Sequence, residues 1–365
     1  MQNSQTIKCM KLLDALFAIC YLMNDTVNLT LLIFYGLEYT RKYGVSIYSP
    51  RLVAMVCVFF SGPLNDLQGA ALYANFSLRL FQKVNHRPSV ASTILTAYAF
   101  GLCWTNPMGD VIVKFKTAFI TGTETGDVEN ATWCIFQYLV GKCQAGSNLV
   151  VLEAEFTHHL QKMEDCNRKT QAFLTKAWSK VVQSLIGLSH DNLSLGMDDV
   201  PGDSQTALAK LFDDSAQRVS LLYMGEFEKC AHLAWQENDS WQKASAGHMA
   251  SCPDVLASAL SYVASAQHGT AKFRYRRHAL RKRATIDRWI KQGNPNIQHW
   301  KPFLDAEYSS LKSARKHSGV VVMNYRSAVE LAQEGGTFTT PHWPTNAGDN
   351  MFSTSLMTRE KRRCG

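Results

Sequence analysis

Residues 273–296 read FRYRRHALRKRATIDRWIKQGNPN, and eight of them are Lys or Arg. At 100° per residue, Arg274, Arg277, Arg281 and Arg288 fall in one narrow sector of a helix. Phe273, Leu280 and Ala284 form an apolar stripe beside that sector, and Tyr275, Ala279, Ile286, Trp289 and Ile290 form a second one roughly opposite. Two apolar arcs with charged edges predict a helix over 271–292 gripped by neighbours on two sides, as inside a helix stack. The Gly293-Asn294-Pro295-Asn296 that follows ends this helix and starts the next, because Gly tolerates positive φ and Pro cannot continue a helix. The arginines admit two readings. They are the wet face of a packed helix, their stems covering apolar surface, or they meet an acidic partner or a phosphate backbone.

Outward from this helix, a 3.6-residue period governs most of the chain. Leu12, Leu13, Leu16, Ile19, Cys20 and Met23 recur at helical spacing. Asn24-Asp25 breaks that run, Thr26 is the expected cap of a helix reaching about Tyr43, and Gly44 is its left-handed stop. Ser49-Pro50 opens a third helix and Gly62-Pro63 closes it; Asn65 or Asp66 opens a fourth and Ser89 a fifth. Further helices are expected near 109–118, 127–141, 149–165, 170–188, 207–215, 218–237, 253–267, 299–314 and 320–334. No β-alternation interrupts them. Small residues sit where a neighbouring helix must approach, as at Ala70, Ala74 and Ser77, and NDLQGA and GDVENA each place a turn before a helix with Ala at its contact face. These features predict an all-α chain, a right-handed α-solenoid of antiparallel helix pairs with about 14 helices. The acidic, Gly- and Asp-rich SHDNLSLGMDDVPGDSQ at 189–205 is a loop or hinge between helical halves at 1–188 and 206–336, and 337–365 is a loose tail.

Composition supports a large core, with 46% hydrophobic and 19% charged residues. Lys272 to Arg288 carries eight cations against Asp287 alone, so nearly all of the net charge of +8 is local and no general polyanion-binding surface is implied. Ten cysteines without Cys-x-x-Cys spacing suit buried reduced thiols and a cytoplasmic setting. The longest apolar run, Leu52 to Phe60, is too short to span a bilayer, so no membrane role is expected.

Catalytic signatures are missing. No P-loop is present, since Gly141-Lys142 lacks the upstream glycine that would help cradle phosphate. His158-His159 are adjacent on a helix, so they point about 100° apart and cannot clasp one metal. Asp198-Asp199 and Asp213-Asp214 read as solvated acids, and Cys252, before Pro253, as a helix-boundary residue rather than a nucleophile. No catalytic, cofactor-binding or metal-ligating residue is assigned.

Trp289, Gly293, Asn294, Pro295 and Asn296, then Leu304, Ala306 and Glu307, then Tyr325, Ala328, Ala332, Gly335 and Gly336 carry a resemblance. The chain from Leu12 to Gly336 resembles the degenerate tetratricopeptide-like region of large multidomain signalling ATPases of algae and fungi. Those proteins join a protein-kinase-like segment, an AAA-type NTPase and this helical region to a histidine kinase or nucleotide cyclase. Here no NTPase or kinase motif precedes the helices and no cyclase or histidine kinase follows Gly336. The resemblance thus implies a stand-alone or truncated scaffold that is not an enzyme and holds no cofactor. Its expected partner is a protein, with a related ATPase or kinase as one candidate. The alternative is a helical-repeat nucleic-acid binder using the basic face of 271–292.

Overall fold

The computed structural model describes residues 4–188, 206–238, 247–268, 272–310 and 318–334, which are mostly helical, joined by short turns, and contain no strand. The first helices are α1 (Ser4–Leu22), α2 (Thr26–Tyr43), α3 (Ser49–Ala54), α4 (Val56–Ser61), α5 (Leu67–Val84), α6 (Val90–Phe100), α7 (Met108–Thr125) and α8 (Val128–Gln144). They are followed by α9 (Leu149–Asp165), α10 (Lys169–Leu185), α11 (Thr206–Tyr223), α12 (Phe227–Glu237), α13 (Ser251–His268), α14 (Lys272–Lys291), α15 (Trp300–Ser310) and α16 (Ser318–Glu334). Short 3-10 turns occupy Arg87–Ser89, Leu102–Trp104 and Pro295–Ile297. The most extensive packing joins chain neighbours: α1 with α2, α7 with α8, α9 with α10, α13 with α14, and α15 with α16. This sequential layering is that of a helical-repeat stack.

Caps explain where helices begin. Asp25, not Thr26, caps α2, its carboxylate accepting from Asn28 N at 3.0 Å. Asp66 accepts from Gly69 N at 2.8 Å to cap α5, and Asn148 accepts from Val150 N at 3.0 Å to cap α9. Gly44 stops α2 at a φ of 87°, but its ψ of 176° is extended rather than left-handed helical. The small residues do what their spacing predicts. Ala70, Ala74 and Ser77 are fully buried along α5. Gly101, at the end of α6, comes so close that a Cβ there would stand 2.6 Å from that of Ala74.

One hydrophobic core extends from Met10 to Tyr308 and draws on both halves of the chain. Trp104, Trp178, Phe115, Phe136 and Phe156 are fully buried in it. Each aromatic side chain removes roughly 150–250 Å² from water, which makes these residues the main anchors of the stack.

Some boundaries depart from expectation. The helices expected at 207–215 and 218–237 are divided later, between Tyr223 and Phe227, with Gly225 turning at a φ of 76°. Phe212, Ala216, Val219 and Leu222 are all buried, so one apolar phase carries α11 across the expected break. The helix expected at 109–118 continues to Thr125 and ends at Gly126, whose φ is 83°. The single helix expected after Ser49 is interrupted at Met55. The expected hinge at 189–205 and tail at 337–365 lie outside the described residues.

Asp213 is a correction: it is buried, at 5% exposure, and accepts from Gln217 Nε2 at 3.3 Å. It lies on the inward side of α11, five residues before Arg218, which is itself fully buried. Arg218 Nε donates to Asp254 of α13 at 2.7 Å, and its Nη1 is in ion-pair contact with Glu237 of α12 at 2.6 Å. Burial works against its charge, but the two carboxylates hold its pKa above the ordinary value.

Candidate functional site

One arc of α14 packs and the other does not. Tyr275, Ala279, Ile286 and Trp289 are buried, and Trp289 tilts against Trp104 at 5.1 Å between centroids. Phe273 is 90% exposed and Leu280 51% exposed. The expectation of neighbours on two sides is therefore overturned. α13 and α15 pack on α14 from its Trp289 side, and α14 is an outer helix. A helical wheel reveals apolar arcs but cannot say which of them another helix covers.

The charges divide too. Lys282 is buried on the inner side. Arg283 pairs with Asp305 of α15 and lies over the Tyr308 ring at 5.0 Å. Arg274 stacks on Trp235 of α12 at 4.4 Å. Arg276, Arg277, Arg281 and Arg288 are exposed and have no ion-pair partner among the described residues. By helical angle, the stripe of Phe273, Leu280 and Ala284 runs between Arg276 on one flank and Arg277, Arg281 and Arg288 on the other.

The turn after α14 fixes that face in place. Gln292 Oε1 accepts from Leu67 N at 2.7 Å, and its Nε2 donates to the Asn65 carbonyl at 2.9 Å, closing the start of α5. Asn296 Oδ1 accepts from Met108 N at 2.8 Å, while its Nδ2 donates to the carbonyls of Cys103 and Asn106, each at 3.0 Å. α7 has only Pro107 before it and no side-chain cap from its own flank, so Asn296 supplies one from across the core. Asn294 is buried and accepts from Asn296 N at 2.9 Å, which shapes the turn. Gly293 takes a φ of 87°. The Gly-Asn-Pro-Asn thus divides two helices as expected, and its Asn296, together with the preceding Gln292, clamps two distant helix starts.

The other polar candidates do not assemble. His158 is exposed, and His159 packs edge-on to Phe119, where burial lowers its pKa to about 4. Among the described residues no group of three or more His, Cys, Asp or Glu is placed to hold a metal ion. Asp198-Asp199 lie outside the described residues. Cys252 is the second residue of α13, and burial raises its thiol pKa, so it stays protonated. The described cysteines are free thiols, with Cys57, Cys103, Cys134 and Cys230 buried. No helix of the described residues is long and apolar enough to cross a membrane.

A cavity of about 150 Å³ lies where α11 and α13 meet the 294–297 turn, α15 and α16. Trp104, Tyr223, Met249, Trp300 and Phe303 contribute to its walls, and no Asp, Glu, Lys or Arg lines it. Gln144, at the end of α8, is one of the lining residues, and its Nε2 is buried with no hydrogen-bond partner. The cavity arises because α16 packs chiefly on α15 and leaves a gap toward the main core. Sequence reading missed it, since its residues come from widely separated stretches and form no motif. Comparison with protein-family models, with curated proteins and with solved structures finds no match to this chain.

Proposed function

We propose that the protein is a non-enzymatic, tetratricopeptide-like scaffold that receives an acidic amphipathic segment of a protein partner on the outer face of α14. The observation that carries this reading is the exposed Phe273–Leu280 stripe flanked by arginines that have no ion-pair partner among the described residues. A partner helix with Leu or Phe at every turn would cover the stripe, and its carboxylates would meet the arginines on either side. The clamp by Gln292 and Asn296 supports it, because a held helix loses little order on binding. On the strength of the resemblance, a related signalling ATPase or kinase is the first natural partner to try, in a cytoplasmic setting that suits the free thiols.

A labelled acidic helical peptide with leucines at i, i+3 and i+7 tests the face directly. Binding is expected to the whole chain and to be lost in both Arg277→Glu/Arg281→Glu and Phe273→Ala/Leu280→Ala. Retention in both variants, or measurable ATPase, kinase or cyclase turnover, overturns the proposal. A second reading rests on the Arg274–Trp235 stack beside Phe273, a basic and aromatic combination suited to single-stranded nucleic acid. It requires affinity that falls steeply with salt, and fails if neither RNA nor DNA binds at low salt.

A further inference from the structure

We propose that the cavity bounded by Gln144, Trp104, Trp300 and Phe303 binds a small, uncharged, ring-bearing molecule that offers a hydrogen-bond acceptor to Gln144 Nε2. Size limits the ligand first. Enclosed apolar cavities of about 150 Å³ take up a benzene ring, and this one has that volume and is open on one side, which leaves room for a short substituent on the ring. The walls then select a ring. Trp104, Trp300, Phe303 and Tyr223 offer faces and edges for aromatic contact, with Met249 filling irregular space beside them.

Charge is selected against. No ionisable Asp, Glu, Lys or Arg lines the site, so a carboxylate or ammonium would lose its water with no counter-ion to replace it. His299, in the wall, is held uncharged at neutral pH because burial lowers its pKa to about 4. Cys103 and Cys252 also reach the lining, and burial raises both thiol pKa values, so both stay protonated and add no charge to the site. The polar requirement comes from Gln144. Its Nε2 is buried and lacks an acceptor, and a ligand carbonyl or ether oxygen supplies one. The mouth lies along α16, where Val329 is both lining and partly exposed. This site is separate from the outer face of α14 and does not depend on the scaffold reading.

Acetophenone and α-methylstyrene form a matched pair of probes, similar in shape and differing in the acceptor. Ligand-observed NMR or calorimetry on the full chain should show saturable binding of both, with acetophenone tighter by about threefold to tenfold, the worth of one neutral hydrogen bond. Gln144→Leu should abolish that preference while leaving α-methylstyrene bound. Ala332→Trp, which fills the cavity from α16, should remove binding of both probes. Because Gln144→Leu leaves the cavity's volume nearly unchanged, it keeps the test decisive if the Trp variant folds poorly. Benzoate and benzylammonium should not bind. Absence of saturable binding by either neutral probe, benzoate binding as tight as acetophenone, or an unchanged preference in Gln144→Leu each overturns the proposal.

Discussion

Arg218 and the turn at 292–296 each fasten three segments of the chain, by opposite means. Arg218 uses charge, joining α11 to carboxylates on α12 and α13 that lie close by in sequence. The turn uses neutral amides, joining the end of α14 to helix starts that lie 188 and 225 residues away. The difference concerns what happens when one partner is lost. A buried ion stripped of its counter-charge keeps its full desolvation cost. An amide that loses a partner strands a backbone group worth far less.

Arg218→Met is therefore expected to give the largest effect, a loss of about 3–5 kcal/mol by urea unfolding, because Asp254 and Glu237 stay buried without a cation. Adding Asp254→Leu and Glu237→Leu should recover much of it, and failure to recover would mean the junction contributes more than its charges. Asn296→Ala should cost about 1–3 kcal/mol, since it leaves Met108 N and two carbonyls unmet. Should Asn296→Ala prove as costly as Arg218→Met, the contrast between the two junctions is wrong.

Acidity separates the two junctions from the rest of the core. His248 is buried between Phe100 and Phe212, accepts from Ala250 N at 3.1 Å, and has a pKa lowered by burial from the ordinary 6.5 to about 3. A folded value below the unfolded one means the unfolded chain binds the extra proton. His248 therefore leaves stability unaffected above pH 6.5 and lowers it by up to about 1.4 kcal/mol per unit as pH falls from there toward 3. Unfolding midpoints at pH 7.5, 6.0 and 5.0 should show this slope together with the like contributions of His159 and His299, and His248→Gln should reduce it without abolishing it. The smallest effect belongs to the outer face. Arg277→Glu with Arg281→Glu should shift stability by less than about 0.5 kcal/mol, because neither residue has a partner among the described ones. A larger loss would mean that the face is structural after all.

Much of the fold was legible because it is local. Gly44, Asp66 and the Ala70–Ser77 spacing mark their turns and contacts within a few residues of the feature they control. What stayed hidden depends on partners far along the chain. Nothing near Asn296 indicates that it caps α7, and nothing near Lys282 indicates that it faces inward. The same limit applied to the candidate face. Its arginines were plain in the sequence, but the exposure of Phe273 and Leu280 reflects the absence of a third neighbour among the described residues, which no periodicity encodes. Asp213 failed for the complementary reason, a charged residue drawn inward by the apolar phase of α11.

The clamp at Gln292 also has a place in time. Leu67 leaves the ribosome 225 residues ahead of the glutamine that will receive its N–H. At about 5–20 residues per second, roughly 10–45 s of synthesis separates the two. Through that interval α5 and α7 exist with their first amides unanswered, and the surface that will take Trp289 is open. Completion of the N-terminal layers is thus deferred to the translation of a five-residue turn. A nascent chain halted before Gln292 should expose this seam to chaperones, whereas one halted after residues 292–296 have left the ribosome should not.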